Sequence, residues 1–178
     1  MLITLSGLPG SGTSTVARTV ASRLGLDHLD GGTVFRTMAS ERGASLAEFA
    51  RIAEADDAID RALDDRLIQR AHQGDVLLES RLAGWLATRA AVAGLRVWIA
   101  CDEVERARRV GGRDGHDVDE ALATNQEREA SERTRYLGFY GIDLQDLSIY
   151  DLVVDSTSTG PDAIIDQIVE AATAARQP

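Results

Sequence analysis

Apolar positions along this chain fall into two rhythms. Five short runs, LITLS (2–6), DHLD (27–30), DVLLE (75–79), LRVWIAC (95–101) and YDLVVDS (150–156), have the length and composition of strands, and Gly7 bounds the first. Between them the apolar residues recur at helical spacing. Val16, Val20 and Leu24 stand at i, i+4 and i+8, and Ile164, Ile165, Ile168, Val169 and Ala172 share one face after Gly160-Pro161. Strands alternating with helices predict an α/β fold, a five-stranded parallel sheet with helices on both faces in three α/β/α layers. No internal repeat or low-complexity linker divides the chain, and 178 residues fit one domain with a sizeable core. Two segments break the alternation. Residues 33–73 read as a charged, helix-rich insertion, and residues 106–141 as an arginine-dense helical segment with a hinge at Gly111-Gly112-Arg113-Asp114-Gly115. Mixed charge usually means a solvated helix face, but their placement on either side of the middle strands makes both segments candidate substrate covers, 33–73 over an acceptor and 106–141 as a lid.

Composition narrows the class. No run approaches the roughly 20 apolar residues of a membrane-spanning helix, and MLITLSG carries neither basic leader nor apolar signal core, so the expectation is a soluble, cytoplasmic, monomeric protein. Cys101 is the only cysteine, which excludes an intramolecular disulfide, and its place at the end of an apolar run reads as a small buried hydrophobe. The 29 acidic residues outnumber 19 basic ones, all arginine, for a net charge of −10. Such a surface repels polyanions, which argues against nucleic-acid partners. It resembles surfaces adapted to salt-rich cytoplasm, where self-repulsion is screened; a GC-rich genome explains the arginine and alanine but not the carboxylate excess.

The residues GLPGSGTS (7–14) have the glycine spacing of a phosphate loop, G-x-x-x-x-G-K-[ST], with Thr13 in the lysine slot. Glycines suit this task because main-chain N–H groups must turn inward around phosphate oxygens, and the next helix offers its positive dipole end. The loop follows a strand and opens a helix, the context that supports phosphate binding over a plain tight turn. The candidate nucleotide-binding residues are Gly7, Leu8, Pro9, Gly10, Ser11, Gly12, Thr13, Ser14 and Thr15, with Ser14 the candidate Mg²⁺ ligand. The missing lysine requires another cation, and only arginines are available.

On the acceptor side, DGGTVFR (30–36) places Asp30, Gly31 and Arg36 at a strand end and the following helix start, where Arg36 either grips phosphate oxygens with its planar fork or lies in solvent behind a cap at Thr33. LLESRLAGW (77–85) sets Glu79 and Arg81 at the carboxyl edge of the sheet, where ligands bind in such folds. Glu79 either orients Mg²⁺ through water or pairs locally with an arginine, and Arg81 points to the acceptor. Trp85 and Trp98 read as core. Arg106, Arg109 and Arg113 fall at i, i+3 and i+7, so a helix turns them to one side. Arg128 with Glu132, and Glu129 with Arg133, have the spacing of ordinary exposed ion pairs. Arg109, Arg113 and Arg135 are the candidate catalytic cations.

Assembled, these residues resemble the nucleoside monophosphate kinases, most closely archaeal-type cytidylate kinases. The likeness covers nearly the whole chain and rests on GLPGSGTST (7–15), LESRLAGW (78–85), REASERTRY (128–136) and YGIDLQDLSIYDLVVDST (140–157), in that order. It implies ATP and CMP or dCMP as substrates, Mg²⁺ as cofactor, and a core, acceptor and lid architecture that closes on binding. It also maps the family's lid pattern R-[DE]-x-x-[DE]-x-x-R onto Arg128, Glu129, Glu132 and Arg135, making Arg128 a candidate substrate ligand. Alternatives are a kinase of the same fold for AMP, UMP, dephospho-coenzyme A or shikimate, and a nucleotide-binding module without catalysis.

Overall fold

The computed structural model describes residues 1–176. Its strands are β1 (Leu2–Gly7), β2 (Asp27–Asp30), β3 (Val76–Glu79), β4 (Leu95–Ala100) and β5 (Leu152–Asp155). Its helices are α1 (Thr13–Leu24), α2 (Gly31–Glu41), α3 (Leu46–Ala55), α4 (Asp57–His72), α5 (Ala83–Arg89), α6 (Glu103–Asp114), α7 (Val118–Tyr140) and α8 (Pro161–Ala174). Each strand overlaps one of the runs read from the apolar pattern. All neighbours pair in parallel, in the order β2-β3-β1-β4-β5.

Side-chain alternation sorts the core into two layers. Ile3, Leu5 and Leu77 face α1 and α8, meeting Val16, Val20, Ile164, Ile165 and Ile168. Leu2, Val76 and Leu78 face the other way, onto Leu63 and Leu67 of α4 and Ala83 and Ala87 of α5. All six residues of β1 are buried, as a central parallel strand covered on both faces requires. Each fully buried Leu or Ile here contributes about 1.5–3 kcal/mol. Trp98 is buried in the sheet, and Trp85 packs beside Leu82, Tyr136 and Ile142. Cys101 lies just past β4 and is half-buried rather than fully enclosed.

The inserted helices α2, α3 and α4 carry a small core of their own, Ala39, Phe49, Ala53 and Ile59, with the rings of Phe35 and Phe49 4.8 Å apart. A capping box between Ser45 and Glu48 starts α3, and Asp56 caps α4. The cap of α2 is Asp30, which accepts from Gly32 N at 2.8 Å, so the helix begins ahead of Thr33, the residue expected near its cap. A Cβ at Gly31 would stand 2.9 Å from Ser80 Cβ, and only glycine lets the helix start this close to the end of β3.

The expected hinge at 111–115 narrows to its last residue. Gly111 and Gly112 are helical, and the chain reverses at Gly115, whose φ is +78°, where both Gly115 N and His116 N donate to Gly111 O. α6 and α7 then pack on one another, and α7 runs on past α3. Among the described residues no helix is long and apolar enough to cross a membrane.

Candidate active site

The loop between β1 and α1 stands at the carboxyl edge of the sheet. Gly10 has φ +86°, and a Cβ there would come within 2.5 Å of the Arg106 carbonyl oxygen, so glycine is required twice over. Gly12 is the N-cap of α1 and supplies no side-chain acceptor, which leaves the first-turn N–H groups free for an anion. The loop is braced from behind. Arg106 Nη1 donates to Pro9 O at 3.2 Å, and Ser156 Oγ donates to Ser11 O at 2.9 Å.

β3 delivers Glu79 beside this loop. Ser14 Oγ donates to Glu79 Oε1 at 2.6 Å, and His28 Nε2 lies 2.9 Å from Oε2. Burial would raise the Glu79 carboxyl, but hydrogen bonds from His28, Ser14 and Thr13 outweigh it and hold the group below its usual range. The local partner of Glu79 is thus a histidine and hydroxyls, not an arginine.

Arg81 ties the loop to α7. Its Nη1 donates to Gly7 O at 2.7 Å and its Nε to Glu132 Oε2 at 2.9 Å, while Arg128 Nε donates to Glu132 Oε1 at 2.9 Å. Glu132 is only 4% exposed, so the expected surface pair is a buried carboxylate bridging Arg81, which is largely buried, and Arg128, which stays exposed. Burial pushes Glu132 up, and the two guanidinium charges more than reverse it. The second expected pair is not formed, since Glu129 accepts from Arg106 rather than Arg133. Arg36 is half-exposed and donates to Thr33 Oγ1 at 2.8 Å and Asp30 Oδ2 at 3.3 Å.

These groups share one cleft of about 730 Å³. Gly7, Leu8, Pro9, Gly10, Thr13, Ser14, Asp30, Gly31, Arg36, Glu79, Arg81, Arg113, Arg128 and Arg135 line it; Ser11, Gly12, Thr15 and Arg109 do not. The three arginines read as one catalytic group therefore do not meet. Arg109 sits behind the loop, donating to Ser156 O at 2.6 Å and Glu105 Oε1 at 2.7 Å. Arg113 is at the rim, its side chain 70% exposed and paired only with Asp114. Arg135 is buried at the far end, its Nη1 2.8 Å and 3.1 Å from the two Asp60 oxygens and its guanidinium over the Phe35 ring.

Several cleft residues escaped the sequence reading. Asp60 and Asp64 line the cleft one helical turn apart, and both are buried. Their signal was present, because Ile59, Asp60, Leu63, Asp64 and Leu67 lie on one face of α4, carboxylates among apolar residues. Burial pushes Asp64 up to about 7, with Tyr140 donating to Oδ2 at 2.5 Å; burial also raises Asp60 against the pull of Arg135. Asn125 and Ser131 on α7 likewise line the cleft.

Comparison with known proteins identifies the family of the chain. A family model described as "Cytidylate kinase-like family" matches residues 2–158. A cytidylate kinase of Halorubrum lacusprofundi is 49% identical over 170 residues, covering 95% of this chain and 88% of that one. One from Pyrococcus horikoshii is 45% identical over 172 residues, covering 97% and 88%. Among solved structures, a protein of Eubacterium ventriosum shares the fold with a TM-score of 0.75 at 16% identity, covering 98% of both chains. A shikimate kinase of Bacteroides thetaiotaomicron does so with 0.64 at 14% identity, covering 96% of this chain and 97% of its own. With the family model matched over residues 2–158 and relatives 45–49% identical over nearly the whole chain, the chain belongs to the cytidylate kinase-like family.

Proposed function

We propose that this protein transfers the γ-phosphoryl group of ATP to the phosphate of CMP and dCMP, forming the diphosphate and ADP. The observation that carries the reading is the Arg81–Glu132–Arg128 bridge, built on a buried carboxylate beside the glycine loop, in a chain of this family. The loop amides and α1 N-terminus hold the donor phosphates, while Arg36, Arg81 and Arg128 hold the acceptor phosphate. A CMP phosphate oxygen then attacks the γ-phosphorus in line. The new O–P bond forms as the β,γ-bridging P–O bond breaks, and ADP leaves. No general base is needed, because the attacking phosphate is already ionised near neutral pH.

The residues fit Mg²⁺ carried with the nucleotide. Ser14 and Glu79 offer one hydroxyl and one ionised carboxylate at the loop, and no cluster of three or more His, Cys, Asp or Glu side chains stands ready as a cage among the described residues. Held at Ser14 and near Glu79, such an ion would supply charge neutralisation at the transferring phosphate. Arg113, exposed and held only by Asp114, is the cation free to swing inward when α6 and α7 close, and Arg109 steadies the loop from behind. Insertion 33–73 and segment 106–141 act as acceptor cover and lid on a single domain, working as a cytoplasmic monomer.

The test is ADP formation from ATP and Mg²⁺ with CMP, dCMP, UMP, AMP, dephospho-coenzyme A and shikimate offered separately in high-potassium buffer. Steady CMP-dependent turnover with the others slower is the expected result. Equal or no dependence on CMP would exclude this reading.

A further inference from the structure

Glu79 is held from two sides, and only one of them belongs to the phosphate loop and its helix. Ser14, at the start of α1, donates to Oε1 at 2.6 Å, while His28, on the edge strand β2, lies 2.9 Å from Oε2. The parallel register sets His28 opposite Leu77, on the sheet face that α1 covers, and two residues further along β3 the same face presents Glu79. The Glu79 side chain is 7% exposed and that of His28 20%, so water competes little for the bond between them. His28 does not itself line the cleft. Whatever it does for a bound nucleotide it does through Glu79.

The carboxylate fixes where the hydrogens lie. Glu79 is held ionised, below its usual range, and an ionised carboxylate can only accept. His28 therefore carries a hydrogen on Nε2, and the Ser14 hydroxyl commits its one hydrogen to Oε1. A serine oriented in this way turns its lone pairs away from Glu79, the arrangement in which a hydroxyl oxygen can ligate a hard cation.

We propose that His28 is a positioning residue for the metal-bearing donor site: by donating to Oε2 it fixes the Glu79 carboxylate, which in turn orients the Ser14 hydroxyl toward the Mg²⁺ carried with ATP. Without that bond the carboxylate turns freely about its last torsion, and Ser14 loses a fixed acceptor. Outer partners that orient metal ligands typically change metal affinity by about 10–100-fold. The inference rests on ATP with Mg²⁺ as the donor, and not on the identity of the acceptor.

The experiment is calorimetric titration of ATP, with no acceptor present, into wild type, His28→Leu, His28→Ala and His28→Gln, once in excess Mg²⁺ and once in EDTA. The quantity read is the factor by which Mg²⁺ tightens ATP binding. In the leucine and alanine variants it should fall by about 10-fold, with the metal-free affinity nearly unchanged. His28→Gln, whose amide can donate over a similar reach, should recover most of it. A histidine that only holds β2 to β3 would lower both affinities together. An unchanged factor in the leucine and alanine variants, or a glutamine variant no better than they are, would overturn the inference. Stoichiometry reports the folded fraction separately, so partial unfolding does not imitate the effect. Should neither apolar variant be soluble, wild type with isotope-labelled histidine carries the test by NMR: the His28 Nε2–H resonance should move when Mg²⁺ joins the ATP complex, and an unmoved resonance counts against the inference. Wild-type ATP affinity indifferent to Mg²⁺ would instead overturn the donor reading, and this inference with it.

Discussion

At the loop end of the cleft the groups proposed to bind are main-chain amides from consecutive residues, braced by Arg106 and Ser156 from behind. At the far end the wall is made of side chains of α4 and α7, and the pair that defines it, Asp60 and Arg135, stands 75 residues apart in the chain. A site of the first kind, with the backbone proposed as the binding group, tolerates changes of side chain; its lysine slot can hold Thr13 provided charge arrives from elsewhere. The second depends on each side chain and on its counter-charge. Arg81 joins the two, with one nitrogen on Gly7 O and another on Glu132.

That junction is where the comparison breaks most severely. Glu132→Gln leaves Arg81 and Arg128 without their buried counter-charge and should cost about 3–5 kcal/mol in urea unfolding. A loss under about 1 kcal/mol would mean that water already serves these arginines. Next comes the contrast at the phosphates. Arg113→Ala should lower kcat by about 10²–10³-fold, the scale for losing a group that stabilises the transition state, and Thr13→Ala far less. Single-turnover kinetics decide it, and the reverse ranking would show that the loop end relies on its side chain after all.

Gly10→Ala tests the backbone directly. With φ at +86° and a carbonyl oxygen 2.5 Å from the new Cβ, the loop must shift, and the KM for ATP should rise by the equivalent of about 1–3 kcal/mol while CMP binding changes less.

Asp64 gives the far end a pH dependence of its own. Its carboxyl is raised from 3.8 to about 7, so between those values the folded state holds a proton that the unfolded state has released. Its stabilising contribution is present in full at low pH and is lost as pH rises toward 7, with a slope of up to about 1.4 kcal/mol per pH unit. Asp64→Asn should remove that slope in urea titrations between pH 5 and 7.5. Glu79 and Glu132 have the opposite sign; both are lowered, and their stabilisation fades only below the usual carboxylate range. The smallest effect concerns the whole surface. With a net charge of −10 and no lysine, the melting temperature should rise by a few degrees from dilute to molar KCl, and a flat or falling trend would remove self-repulsion as a factor.

The same contrast explains what could be read in advance. All five strands and the phosphate loop announce themselves within short stretches, because apolar runs and glycine spacing are local signals. The bridge at Glu132 looked like an exposed helical pair, because i, i+4 spacing does not record which face is buried. Arg135 looked free to reach a transferring phosphate because its tie to Asp60 is visible only once α4 and α7 are packed together. Within the expected hinge at 111–115 the paired glycines stay helical, and the turn is set by the αL cap at Gly115.

One uninterrupted helix, α7, supplies Arg128 near the loop, Arg135 beside Asp60 and Tyr140 on Asp64. At 1.5 Å per residue its 23 residues make a rod of about 35 Å, too stiff to settle at one end while remaining loose at the other. In the proposed complex the acceptor meets this rod through Arg128, so the acceptor bears the entropy of stilling it, and α6, which packs on α7 and carries Arg113, then faces the donor already at rest; the two affinities are linked through helix packing rather than through a shared contact.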